Sequence, residues 1–228
     1  MSEVQPSTVL VVADLHAPQI HERAFDNLVQ FVADAMPDRI VVLASQTAWC
    51  DPQDNGGSCS AFVSRLERLR EVHARPIVLQ TSSLPVQGDV ELAWSNECTS
   101  ALSKLGIYEL RGIYEPAPGW HSLCATGAAN PRYPGALAIQ LARMLGGSVV
   151  CGGTTALAVI GQSNARGGTT RWGLEIGSLV RPPTGGRGTS RTTTMGFALL
   201  SASHDAVKPQ AIAVQRDGSF TVDGIHYA

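Results

Sequence analysis

Asp14 and His16 have the residue types and the spacing of divalent-metal ligands. A carboxylate and an imidazole one residue apart, at the end of an apolar run, can reach one ion from a single turn. Alone, such a pair binds weakly, because water must fill most of the coordination shell. The other histidines, at 21, 73, 121, 204 and 226, fall on no other strand-end turn and read as surface or core residues. A second chemical feature is basic. Arg166, Arg171, Arg181, Arg187 and Arg191 lie among Gly, Thr and Pro, and guanidinium forks on such a loop can grip phosphate backbone. The same loop can equally serve solubility or assembly, since Trp172 is the one aromatic interleaved with it. The cysteines at 50, 59, 98, 124 and 151 are odd in number and form no C-x-x-C pair. They are expected to be reduced and mostly buried, with a Cys50–Cys59 regulatory disulfide conceivable across the loop they flank.

The elements that must position these residues follow from hydrophobic periodicity. Residues 8–13 form a short β-branched run that reads as a strand buried on both faces, ending at Asp14. Helices are expected over 21–36, 61–73, 90–105 and 136–145, and further strands over 39–44, 76–80, 108–111, 120–126 and 148–151. Strand, helix, strand, helix, strand within the first 80 residues implies parallel βαβ units, which place ligands at the carboxyl ends of their strands. Residues 157–160 and 172–176 suggest a hairpin around a polar turn, and 196–203 and 211–215 two more strands in an antiparallel C-terminal portion. The stretch 181–191 reads as a loop.

At 228 residues and 44% hydrophobic, the chain can bury the core of one large α/β domain, expected to span 1–228. A net charge of −2 gives no global drive towards nucleic acid or anionic membrane. No apolar run approaches the roughly 20 residues that span a bilayer, and the N-terminus lacks the layout of a signal peptide, so a cytoplasmic location is expected.

The segment Val11-Val12-Ala13-Asp14-Leu15-His16-Ala17-Pro18 and the order of the later turns resemble the calcineurin-like metallophosphoesterases, notably compact phage and bacterial members. The resemblance covers nearly the whole chain. It implies an α/β fold, a metallophosphoesterase-like β-sandwich of two mixed sheets flanked by helices. It also implies two divalent metals between strand ends, clamping a phosphate and activating a bridging hydroxide. Asp14 and His16 match the first ligand motif. At the later motifs the ligands are replaced: Ser45 stands for the bridging Asp, Ser82 for the Asn, Thr126 for a His, and Gly153 and Thr155 for the two His of the final motif. The segment 148–163 otherwise matches that final motif closely, and Thr81 and Ser83 flank Ser82 where Gly and a catalytic His would stand.

Serine, threonine and glycine supply neither negative charge to offset two cations nor an imidazole nitrogen. The resemblance with these departures implies a catalytically inactive, phage-encoded binding protein in the host cytoplasm, acting with a protein partner or by self-association. It implies no cofactor, or at most one weakly bound Mn, Zn or Mg at Asp14 and His16, which otherwise stand as a relic. Two alternatives stay open: a residual mononuclear phosphoesterase, and a nucleotide or nucleic-acid binder. The second would use Arg181, Arg187 and Arg191 together with a strand-end crevice of hydroxyls, including Ser45, Thr47, Thr81, Ser82, Ser83, Thr126, Thr154 and Thr155.

Overall fold

The computed structural model describes residues 7–15, 17, 19–44, 57–81, 96–125, 133–163, 169–181, 194–203 and 206–228. Each apolar strand alternates between two destinations, and that alternation builds the layers. In β1 (Ser7–Ala13), Leu10 and Val12 face a helical layer, whereas Val9, Val11 and Ala13 face a second sheet. A period of two on a strand buried on both faces is invisible as polarity and appears only as two separate cores.

The first sheet runs in the order β11-β10-β1-β2-β3-β4. Its parallel half consists of β1, β2 (Arg39–Ala44), β3 (Ile77–Thr81) and β4 (Tyr108–Arg111). Its antiparallel half adds β10 (Gly196–Ala202) and β11 (Val207–Ala213). The second sheet has the order β5-β6-β7-β9-β8, built from β5 (Tyr114–Ala117), β6 (Trp120–Cys124), β7 (Ser148–Gly152), β8 (Leu157–Ser163) and β9 (Thr170–Ile176). Both sheets are mixed. They pack face to face through Val9, Val11, Val41 and Leu43 against Trp120, Val150, Leu174 and Ile176.

Helices α1 (Glu22–Ala35), α2 (Gly57–Val72) and α3 (Asn96–Lys104) cover the outer face of the first sheet through Phe25, Leu28, Phe62, Leu66 and Leu102. Each such side chain contributes about 1.5–3 kcal/mol when fully buried. Helix α4 (Ala136–Leu145) covers the second sheet through Ala138, Ile139 and Ala142. The sandwich flanked by helices is the architecture that the resemblance implies.

Several expectations change. Helix α2 starts at Gly57, four residues before the start expected from the sequence, Ala61. Strands β8 and β9 extend to Ser163 and from Thr170, taking in polar residues assigned to the turn, because ladder bonds do not require apolar side chains. β5 has no apolar run to announce it. The tail closes as a hairpin, β12 (Phe220–Val222) and β13 (Ile225–Tyr227), whose Phe220 and Tyr227 pack edge-on against Phe31. The expected loop at 182–191 lies outside the described residues.

The cysteines also depart from expectation. Cys59 and Cys98 are joined in a disulfide between α2 and α3, with Cα atoms 6.4 Å apart. Topology brings these residues together across a separation of 39, which spacing along the chain does not reveal. Cys124 and Cys151 are free and buried as expected, and burial pushes both thiols up. Cys50 lies outside the described residues. Two polar side chains cross between the sheets: buried Gln80 of β3 donates to the Ser122 carbonyl at 2.7 Å and accepts from its hydroxyl at 2.5 Å.

Candidate functional site

The strand ends that the sequence singles out converge. Gly152 closes β7 with so little room that a Cβ there would stand 3.0 Å from that of Ala13 and 3.2 Å from that of Leu43. The ends of β1, β2 and β7 therefore meet across the sandwich. Main-chain bonds tie these ends together and draw in one more: Asp14 donates to the Leu43 carbonyl, and Ala125, just past β6, donates to that of Gly152, both at 3.0 Å.

Asp14 sits in the left-handed region, φ 58°, a conformation that Asp tolerates better than most residues. Only 8% of it is exposed. Burial raises its carboxyl from 3.8 to about 6, partly opposed by a hydrogen bond from the Ser178 side chain. Ser178 lies beyond β9 and is itself fully buried; its Oγ also accepts from the Val180 amide at 3.1 Å.

The turn that carries Asp14 is held by a residue that sequence reasoning missed. Arg65 of α2 is buried, and its guanidinium donates to the carbonyls of Leu15 at 2.9 Å and Ala17 at 3.1 Å. It also pairs with Glu22 at 2.9 Å. Two backbone carbonyls on either side of position 16 are thus satisfied by one charged fork. An arginine beside the apolar face of a helix carries no sequence signal for such a brace.

A second turn follows β7. Gly153 has φ +83°, and a Cβ added there would lie 3.0 Å from the Ala125 carbonyl oxygen. Thr155 is left-handed as well, φ 55°, an unusual state for a β-branched residue. Its carbonyl accepts from Thr194 at 2.9 Å, and the Thr154 hydroxyl accepts from the Ala156 amide at 3.4 Å. Thr81 ends β3 buried, its hydroxyl directed at Glu109 of β4 at 3.4 Å, so it turns away from a shared crevice towards its own sheet.

Asp14, Gly153, Thr155 and Thr81 therefore stand at neighbouring strand ends. His16, Ser45, Thr47, Ser82, Ser83, Thr126, Arg187 and Arg191 lie outside the described residues. Arg181 is exposed, with its amide donating to Gln19 in the segment after β1. His21 serves the backbone by capping α1, with Nδ1 accepting from the Ala24 amide and Nε2 against the Arg216 carbonyl at 3.0 Å. Among the described residues, no group of three or more His, Cys, Asp or Glu is placed to hold a metal ion.

Near this site, Glu175 of β9 is fully buried, and its Oε1 accepts from the amides of Leu137 and Ala138 in the first turn of α4. The N-cap, Gly135, brings no side chain, so a carboxylate from the sheet satisfies those amides instead.

No protein-family model matches the chain. Gene 54 protein of Mycobacterium phage D29 is 22% identical, over 95% of this chain and 96% of that protein. Among solved structures, Vps29 of Chaetomium thermophilum is similar with a TM-score of 0.54 at 12% identity, covering 97% of this chain and 98% of that one. The same protein has been solved with a cyclic peptide bound. Vps29 of Entamoeba histolytica, complexed with zinc, gives a TM-score of 0.52 at 14% identity, covering 97% and 99% of the two chains. These likenesses show the fold, a metallophosphoesterase-like α/β sandwich.

Proposed function

We propose that this chain works by binding a protein partner through a metallophosphoesterase-like scaffold, without a dinuclear metal centre of its own. The observation that carries the reading is the donor set around Asp14. A carboxylate hydrogen-bonded to Ser178 is followed, across the meeting strand ends, by Gly153 and Thr155, which offer no imidazole and no negative charge. The residue types at 45, 82 and 126, namely Ser, Ser and Thr, extend the same pattern. Two cations a few ångströms apart need bridging negative charge, and this set does not fit them.

Binding of a cyclic peptide by a structure of the same fold supports a protein-contact role. Similarity over 96% of a phage protein supports a phage-encoded chain, and the host cytoplasm is the location that this proposal adds. No helix among the described residues is long and apolar enough to cross a membrane.

The test is metal content after purification, then calorimetric titration of Mn²⁺, Zn²⁺ and Mg²⁺ into wild type and Asp14→Ala. Turnover of bis(p-nitrophenyl) phosphate with Mn²⁺ is followed in parallel. The reading expects no binding above the Asp14→Ala variant and no turnover. Two tightly bound ions per chain would overturn it. One ion with turnover lost in Asp14→Ala would replace it with a mononuclear phosphoesterase at Asp14 and His16. Salt-sensitive nucleic-acid binding, lost when Arg181, Arg187 and Arg191 are neutralised, would replace it with a nucleic-acid binder.

A further inference from the structure

A sheet with open ends leaves main-chain donors and acceptors unpaired, and proteins guard such edges with charge, proline or bulges. Of the four edges that the two large sheets show among the described residues, three are guarded. β11 carries Lys208 and Pro209, β4 carries Glu109 and Arg111, and β5 carries Glu115 and Pro116. The fourth, β8, reads Leu-Ala-Val-Ile-Gly-Gln-Ser, without a charge or a proline along its length.

The register fixes which β8 main-chain groups the β9 ladder leaves unbonded. Gly177 donates to the Ala156 carbonyl at 2.6 Å, so Ala156 and Gly177 form a hydrogen-bonded pair of the antiparallel ladder. Such pairs alternate with unbonded ones. With Leu157 opposite Ile176, it is Ala158, Ile160 and Gln162 that bond to β9. The main-chain groups of Leu157, Val159, Gly161 and Ser163 therefore point away from the sheet. Val159 is 37% exposed in the middle of this edge.

We propose that β8 pairs antiparallel with β8 of a second copy of this chain, making one continuous sheet across a two-fold axis at Ile160. In that register Leu157 faces Ser163 of the other copy and Val159 faces Gly161. All of these are outward-pointing residues, so each pair exchanges two main-chain hydrogen bonds. Ile160 meets its own counterpart on the axis as an unbonded pair, the closer kind, with apolar side chains in contact. A two-fold contact must be self-complementary, and a neutral strand whose bonding residues map onto each other about its own centre meets that condition. A charged strand would set like charges close together near the axis. A second copy fits this edge better than an unrelated extended peptide, because one uncharged strand supplies both sides of the pair.

The inference deepens the protein-contact reading by naming the partner, yet its test uses neither metal nor phosphoester. Sedimentation velocity on the full chain across the micromolar range should give twice the 24.1 kDa chain mass. Val159→Pro removes a donor that the β9 ladder does not use, so it should give the monomer mass with an unchanged far-UV circular dichroism spectrum. Ile160→Cys should form a covalent dimer on mild oxidation that wild type does not form. A wild type that stays monomeric overturns the proposal while leaving the metal-free reading intact. So does a dimer that survives Val159→Pro. Should Val159→Pro misfold, the Ile160→Cys cross-link decides: a dimer that it fails to cross-link uses another surface, and the proposal falls.

Discussion

The turn after β1 and the turn after β7 are built alike and equipped differently. Both reverse the chain through left-handed backbone, at Asp14 in one and at Gly153 and Thr155 in the other, and both lie where the two sheets meet. The first carries a buried carboxylate and is braced from outside by the Arg65 fork and Ser178. The second is braced by main-chain bonds and presents a glycine and a hydroxyl. Similar backbone shape at two strand ends is therefore compatible with quite different side chains. The φ of Gly153 and the nearby Ala125 carbonyl also make any side chain at 153 costly, histidine included, because a Cβ there would be strained and crowded.

The contrast can be broken most forcefully at its brace. Arg65→Ala leaves the Leu15 and Ala17 carbonyls without their buried partner, and should lower unfolding free energy by about 2–4 kcal/mol in urea denaturation. A loss below about 1 kcal/mol would mean that water replaces the fork and that the first turn is no better held than the second.

Next in size is the pH dependence of Asp14. Its folded carboxyl titrates at about 6 against 3.8 for the free side chain, so the folded state holds the proton more tightly. The associated stability is fully present below pH 3.8 and is lost as pH rises through 6, a decline of roughly 3 kcal/mol. Asp14→Asn, measured with chelator present, should abolish that decline and be the more stable form at pH 7.5. An unchanged slope in the variant would show that the carboxylate is compensated by a neighbour.

The smallest effect falls on the second turn. Thr155→Gly relieves a β-branched residue at φ 55° and should raise stability by about 1 kcal/mol, offset in part by the greater freedom of unfolded glycine. A loss instead of a gain would show that the Thr155 side chain makes a contact outweighing its strain.

Much of this framework is legible in the sequence. The buried strands and the convergence of their carboxyl ends follow from β-branched runs, from helices between them, and from the rule that parallel sheets gather ligand groups at one edge. What escapes is whatever depends on partners distant in sequence. Arg65 reads as a solvated helix residue until the turn 50 residues earlier is seen beneath it. Ser178 and Glu175 gain their roles from carboxylate and amide neighbours that no local pattern announces. The edge status of β8 is set by strand order, because the hairpin that carries it looks the same from its own sequence whether or not another strand follows.

The Cys59–Cys98 link gives the chain a closed covalent ring that contains all of β3 and most of α2. A protease that cuts once anywhere between those two cysteines opens the ring without releasing a fragment, so the nicked protein runs as a single species until a reductant separates it. In a reducing compartment both sulfurs are thiols and the same cut yields two pieces at once. The number of covalently separate pieces that a single cut leaves is then a report on the redox state of the surroundings.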